Sequence, residues 1–182
     1  MPPLLDVPVS SQDHILGPAS AAVTLVEYGD FECPNCLAAY PIIRGLLETY
    51  NDRLRFVFRH FPIVLSHDHA QKAAEAAEAA GAQGKFWEMH DLLFEHQDAL
   101  DPESLLAYAR TLGLDVERFG RELSEGTYAD RVYEDRAGGE VSGVSWTPTF
   151  FLNGDRYPIA RDLDGLVRQV NERALAPSVR TR

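Results

Sequence analysis

The sequence predicts an α/β layered domain, a small mixed sheet flanked by helices and interrupted by an all-helical insertion. A β-α-β pattern opens the chain, a stretch dense in helix formers follows, and a β-β-α pattern closes it. The 182 residues suit one domain carrying a large insertion. With 45% apolar and 25% charged residues, the chain can bury a core without disulfide staples.

Residues 1–20, rich in Pro, Ser, Asp and Gly without sustained periodicity, read as an extended lead-in. The β-branched and apolar run Ala22 to Tyr28 predicts a buried strand, and Gly29 to Glu32 a turn. A helix follows from about Cys33 to Tyr50, with Leu37, Tyr40, Ile43, Leu46 and Leu47 on one stripe and Pro41 inside it as a source of a kink. Leu54 to Phe61 predicts a second strand, stopped by Pro62.

The middle of the chain changes texture. Residues 70–80, Ala-Gln-Lys-Ala-Ala-Glu-Ala-Ala-Glu-Ala-Ala, are dense in strong helix formers, with Gly81 as a stop. Lys85 to Gln97 carries Phe86, Met89, Leu92 or Leu93, and His96 at helical spacing. Asp101 followed by Pro102 is an N-cap and first-turn signal for a helix to about Leu112, and shorter helices fit 115–122 and 126–137. Thr149 to Leu152 predicts a third strand and Arg156 to Ile159 a fourth, joined by Asn153-Gly154, whose residue types tolerate the positive φ of a tight hairpin. Pro158 suits an edge strand or a strand end. Leu163, Leu166, Val167, Val170 and Leu175 mark a closing helix, and 176–182 a loose tail. Residues 1–65 and 139–182 are thus assigned to the sheet domain and 66–138 to an inserted helical domain.

A net charge of −11 argues against nucleic acid or an anionic membrane as partner. No apolar run approaches the roughly 20 residues of a membrane span. Met1 to Asp6 shows neither the basic nor the apolar region of a signal peptide, which predicts a cytoplasmic protein unless a leader has been removed.

The only two cysteines form the pair Cys33-Pro34-Asn35-Cys36. At a helix start, free backbone N–H groups and the helix dipole stabilise an anion on the first sulfur, and the thiolate is the attacking species in disulfide exchange. The second cysteine, one turn on, can resolve the mixed disulfide, while Pro34 and Asn35 tune the pair. A zinc site needs about four ligands. None of His14, His60, His67, His69, His90 and His96 has finger spacing with the cysteines, so neither metal nor cofactor is expected.

Glu27 stands in the apolar strand six residues before Cys33. Either it faces solvent at a strand end, or it lies beneath the second cysteine and carries its proton, which calls for a raised pKa. Thr147-Pro148 directly precedes a strand. An X-Pro bond adopts cis at small cost, and such a loop beside the cysteines would offer the Thr147 backbone to an extended substrate.

Taken in order, Glu27, Phe31-Glu32-Cys33-Pro34-Asn35-Cys36, Phe58-Arg59-His60-Phe61-Pro62, Gln83-Gly84-Lys85-Phe86-Trp87 and Thr147-Pro148-Thr149-Phe150-Phe151-Leu152-Asn153-Gly154 resemble the DsbA-like branch of the thioredoxin superfamily, over residues 20 to about 175. The resemblance implies a thioredoxin fold, a mixed four- to five-stranded sheet flanked by helices with an all-helical insertion. It implies a thiol–disulfide oxidoreductase acting on protein or peptide thiols and disulfides together with a redox partner. In it Cys33 is the nucleophile, Cys36 the resolving cysteine, Glu27 the buried acid, Pro148 the cis-proline and Thr147 the residue touching substrate and sulfur. The Pro-Asn dipeptide departs from the Pro-His of the strongly oxidising periplasmic member, so that oxidising strength does not carry over.

Two other functions compete: a glutathione-linked transferase or isomerase on a related fold, against which Cys36 argues, and a non-catalytic binding module or chaperone. His67 and His69 read as a solvated helix start, Phe86, Trp87, Met89 and Phe94 as packing, and the alanine–glutamate helix as a solvated face.

Overall fold

The computed structural model describes residues 4–158 and 162–176. Strand β1 (His14–Leu16) precedes β2 (Val23–Gly29), helix α1 (Pro34–Tyr50) and β3 (Leu54–His60). Five helices follow: α2 (Ala70–Gly81), α3 (Phe86–Glu95), α4 (Pro102–Thr111), α5 (Val116–Glu125) and α6 (Ala129–Val141). Then β4 (Thr149–Leu152), β5 (Asp155–Arg156) and α7 (Leu163–Leu175) complete the order. The strands form one mixed sheet, β1-β3-β2-β4-β5, in which β2 and β3 are parallel and every other pair is antiparallel.

Alternation along the central strands makes two cores. Val23, Leu25, Phe56, Phe58, Phe150 and Leu152 pack on one face in a cluster that continues through α1 and α7 into α2–α5. Val26, Tyr28, Val57, Phe61, Val144 and Phe151 form the smaller cluster on the other face. Helix α6 covers that face closely: a Cβ at Gly139 would stand 2.8 Å from Phe61 and 2.9 Å from Tyr28. This is why α6 runs through Gly138-Gly139 to Val141 instead of ending near 137.

Three further expectations change. The lead-in is not simply extended, because His14–Leu16 pairs with β3 as a fifth, edge strand. Arg59 straps the lead-in down, donating to Asp13 at 2.7 and 3.1 Å, to the Val7 and Pro8 carbonyls and to the Tyr28 hydroxyl.

Helix α2 is not a solvated face. Residues 73–80 are all buried, Glu75 and Glu78 included. Alanine side chains are short enough for α3, α5 and α6 to approach from several sides. The acids survive burial because each has partners: Lys72 and Gln71 hold Glu75, and His14 and His60 hold Glu78.

The β4–β5 turn has positive φ at Asn153 and Gly154 as its residue types require, but β5 covers only Asp155–Arg156. Ile159 and residues 177–182 lie outside the described residues.

Candidate active site

The reactive loop is assembled by Asp30. Its carboxylate accepts from the backbone N–H of Glu32 and of Ile63 at 2.8 Å each and pairs with His67 Nδ1 at 2.7 Å, while its carbonyl accepts from the Cys33 N–H. Cys33 thereby becomes the N-cap of α1, with extended backbone. Pro34 takes the first helical position, where no N–H is needed. The Cys33 carbonyl accepts from the N–H groups of Cys36 and Leu37 and from the Gln97 amide, which also donates to the Phe31 carbonyl at 2.7 Å.

This placement divides the labour between the sulfurs. A hydrogen bond from Cys36 foremost, then Thr147 and the backbone N–H groups of Cys36 and Asn35, outweigh burial and hold the Cys33 thiol down at about 5. The help from Asn35 comes through its backbone N–H. Cys36 is raised well above the ordinary thiol range by burial, by its bond to Cys33 and by the nearby charge of Glu27. At ordinary pH one sulfur is an anion and its neighbour keeps its proton.

Thr147 meets this pair from the far end of the chain. The Cys33 thiol donates to its carbonyl at 3.4 Å, the Thr147–Pro148 bond is cis, and both residues are buried. Glu27 sits mid-strand in β2 between Phe58 of β3 and Phe150 of β4. It is 2% exposed, not at a solvent-facing strand end, and its Oε1 has no partner among the described residues. Burial first, and the Cys33 anion second, push its carboxyl up to about 8.

Sequence reasoning missed several groups that shape the site. Gln97, Asp30 and His67 are separated in sequence and meet only in the fold. Asp30 alone left a local sign, as a turn residue able to bond the backbone two positions on. His67 is not merely a solvated helix start. Burial works against its proton, but the hydrogen bond and charge of Asp30 prevail and raise its pKa. Phe86, Met89 and Phe94 are core and Trp87 packs against it, and Trp87 and Phe94 also line a cavity of about 480 Å³ that reaches Glu27.

Among the described residues one group could hold a metal ion: His14, His60 and Glu78, with donor atoms within 4.8 Å of one another. Both imidazoles point at the same Glu78 oxygen, at 2.8 and 2.9 Å, and His60 Nδ1 lacks the outer partner that metal-bound histidines usually have. No helix among the described residues is long and apolar enough to cross a membrane.

Comparison with known proteins agrees with the geometry. The thioredoxin family profile matches residues 10–172. The solved structure of oxidised BdbD from Bacillus subtilis superposes with a TM-score of 0.79 at 24% identity, covering 90% of this chain and 94% of that one. A thioredoxin-like oxidoreductase from Silicibacter pomeroyi DSS-3 gives 0.76 at 27% identity, covering 91% and 93%. In sequence the chain is 49% identical over 179 residues to a protein named Na(+)/H(+) antiporter NhaA 1 of Salinispora arenicola, covering 98% of this chain and 27% of the antiporter. The chain thus spans about a quarter of the length of the curated relatives it matches. None of these likenesses supports the cytoplasmic location expected from the N-terminus. The profile match, the five-stranded mixed sheet and the solved structures together place the chain in the thioredoxin family, with the fold that its DsbA-like resemblance implied.

Proposed function

We propose that this chain exchanges disulfides with protein or peptide substrates through Cys33 and Cys36. One observation carries the reading: the leading sulfur caps a helix and ionises near 5, while its neighbour one turn on stays protonated. The Cys33 thiolate attacks a substrate disulfide, forming a mixed disulfide and releasing one substrate thiolate, which takes a proton from solvent. Cys36 then loses its proton and attacks Cys33 Sγ. The second substrate thiolate leaves, and the Cys33–Cys36 disulfide holds the two electrons' worth of oxidation. The reverse sequence oxidises a substrate, and the potential of the pair against its surroundings sets the direction.

Glu27 is the base for Cys36. The Cys33 anion helps to hold the proton on Glu27. Once Cys33 is in the mixed disulfide, that repulsion is gone and the carboxyl ionises more readily, at the moment when Cys36 must give up its proton.

A protein substrate fits the surroundings. Pro34 is exposed beside Cys33, Leu37 is 37% exposed, Leu65 97% and Trp146 53%, and all four belong to the segments that form or border the reactive loop. Thr147 is the residue against which an extended chain would lie, and Pro148 fixes its approach.

Insulin reduction under a thiol reductant tests the reading. The parent chain should accelerate precipitation of the insulin B chain, and Cys33→Ser should abolish the effect. A Cys33→Ser protein as active as the parent would end the proposal.

A further inference from the structure

Two buried polar atoms without partners among the described residues belong to side chains that line one cavity. They are Glu27 Oε1, on β2 beneath the cysteines, and His90 Nε2, on α3. The two residues are 2% and 4% exposed. Side chains of α1 and α3 line the cavity, among them the partly exposed Arg44 and Asp91, and most of its remaining wall is apolar, Trp87 included. Water in so apolar a space needs polar partners, and these two atoms supply them; about 480 Å³ holds many times the ~30 Å³ of one water.

The tautomer of His90 follows from its neighbour. Its Nδ1 lies 3.1 Å from the Asp91 carboxylate, which can only accept, so Nδ1 carries the hydrogen and Nε2 presents its lone pair to the cavity. Burial foremost keeps the ring neutral, against the pull of Asp91. Asp91 in turn pairs with Arg44, whose side chain is 46% exposed. The other titratable groups around His90 are Tyr40 and Arg44 of α1 and His60 of β3, those around Glu27 are Cys33 and Cys36, and Glu48 of α1 lines the same cavity.

We propose that His90 is the positioning residue through which Glu27 exchanges its proton with solvent, by way of water in this cavity. The inference rests on the disulfide-exchange reading above. The Glu27 O–H bond breaks and a cavity water passes the proton to His90 Nε2. The Nδ1–H bond breaks toward Asp91 and so to solvent, leaving Glu27 as the carboxylate that receives the Cys36 proton. Before the same path can clear that proton the ring returns to its Nδ1–H tautomer, losing the Nε2 hydrogen to cavity water and regaining one at Nδ1 from solvent beside Asp91; no electrons move.

The test uses the full chain and the variants H90F, which fills the space, and H90A, which opens it. Turnover of insulin at pH 7 should fall about tenfold or more in both, in line with the ~10²–10⁴ of positioned proton transfer. The alkylation rate of Cys33 should keep its midpoint near 5. Free imidazole should restore H90A and not H90F. Turnover equal to the parent in both variants, or no rescue of H90A, would overturn the proposal. Loss of activity in Cys33→Ser with no effect at His90 would leave the exchange reading standing and remove this one. Should the variants fail to fold, ¹⁵N NMR of the parent decides: the Nδ1–H tautomer at His90 is expected, and the Nε2–H tautomer refutes the path.

Discussion

The Cys33 thiol donates to the Thr147 carbonyl at 3.4 Å, joining segments 114 residues apart. The bond exists only while sulfur keeps its hydrogen. On ionisation the carbonyl becomes a poor neighbour, and the Thr147 hydroxyl, without a partner among the described residues, is the donor that lowers the Cys33 pKa. In Thr147→Val the shape remains and the donor is lost. The midpoint of Cys33 alkylation by iodoacetamide should then rise from about 5 by about one unit, the worth of a hydrogen bond to a charged group. An unchanged midpoint would show that the hydroxyl does not serve the thiolate.

Glu27 makes the reduced protein weaker in alkali. Its carboxyl ionises near 4.5 when unfolded and near 8 in the fold. An acid raised by folding gives its full stability below 4.5 and loses it progressively until the pH passes 8. Denaturant melts of parent and Glu27→Gln should agree most closely at pH 4 and diverge in favour of glutamine, by roughly 4 kcal/mol at pH 9. The same variant should slow insulin turnover. A gap independent of pH would contradict the burial of an ionisable proton here.

Arg59 and Asp13 are both nearly sealed, with side chains 3% and 5% exposed. Replacing Arg59 by methionine leaves a carboxylate buried without its cation, a loss of about 3–5 kcal/mol. Burial alone would raise the Asp13 pKa, but its bonds to Arg59 and Ser10 lower it. Its contribution is therefore present above 3.8 and fades as the pH falls through the lower folded value, so the penalty should shrink in acid. Chemical denaturation at pH 7 and pH 3 checks both parts.

Glu78 accepts from two imidazoles at once. Burial opposes its charge, but the bonds from His14 and His60 hold its pKa well below the ordinary 4.5. Glu78→Gln offers an amide to the same two donors and should cost about 3 kcal/mol at pH 7. The difference should narrow as the pH drops below 4.5. Faster hydrogen exchange in β1, which carries His14, should accompany it.

What could be read beforehand was local. Pro34 after Cys33, Pro102 after Asp101 and the Asn153-Gly154 turn are signals a few residues long, and each marks a boundary that the fold keeps. The apolar strands β2, β3 and β4 were legible because they are buried on both faces. What escaped were relationships between distant positions. His14–Leu16 is too short to show a period and is a strand only because β3 offers its edge. The glutamates of α2 look like a wet face until His14, His60 and Lys72 are brought to them. At the site, Cys33 and Cys36 announce themselves by spacing, and Glu27 by being an acid in an apolar strand. Gln97 carries no such mark, since its partners Phe31 and Cys33 lie 66 and 64 residues away, and His90 shares a cavity with Glu27 only in the fold.

Gln97 ties the carbonyls of Phe31 and Cys33 to the turn after α3. The curvature of the reactive loop is therefore set partly by a residue that belongs to the helical block. Chimeras that exchange this block between relatives would have to import a matching amide with it, or the sulfurs would sit on a loop of a different shape. Grafting the four-residue motif alone onto a foreign scaffold would leave that tether behind.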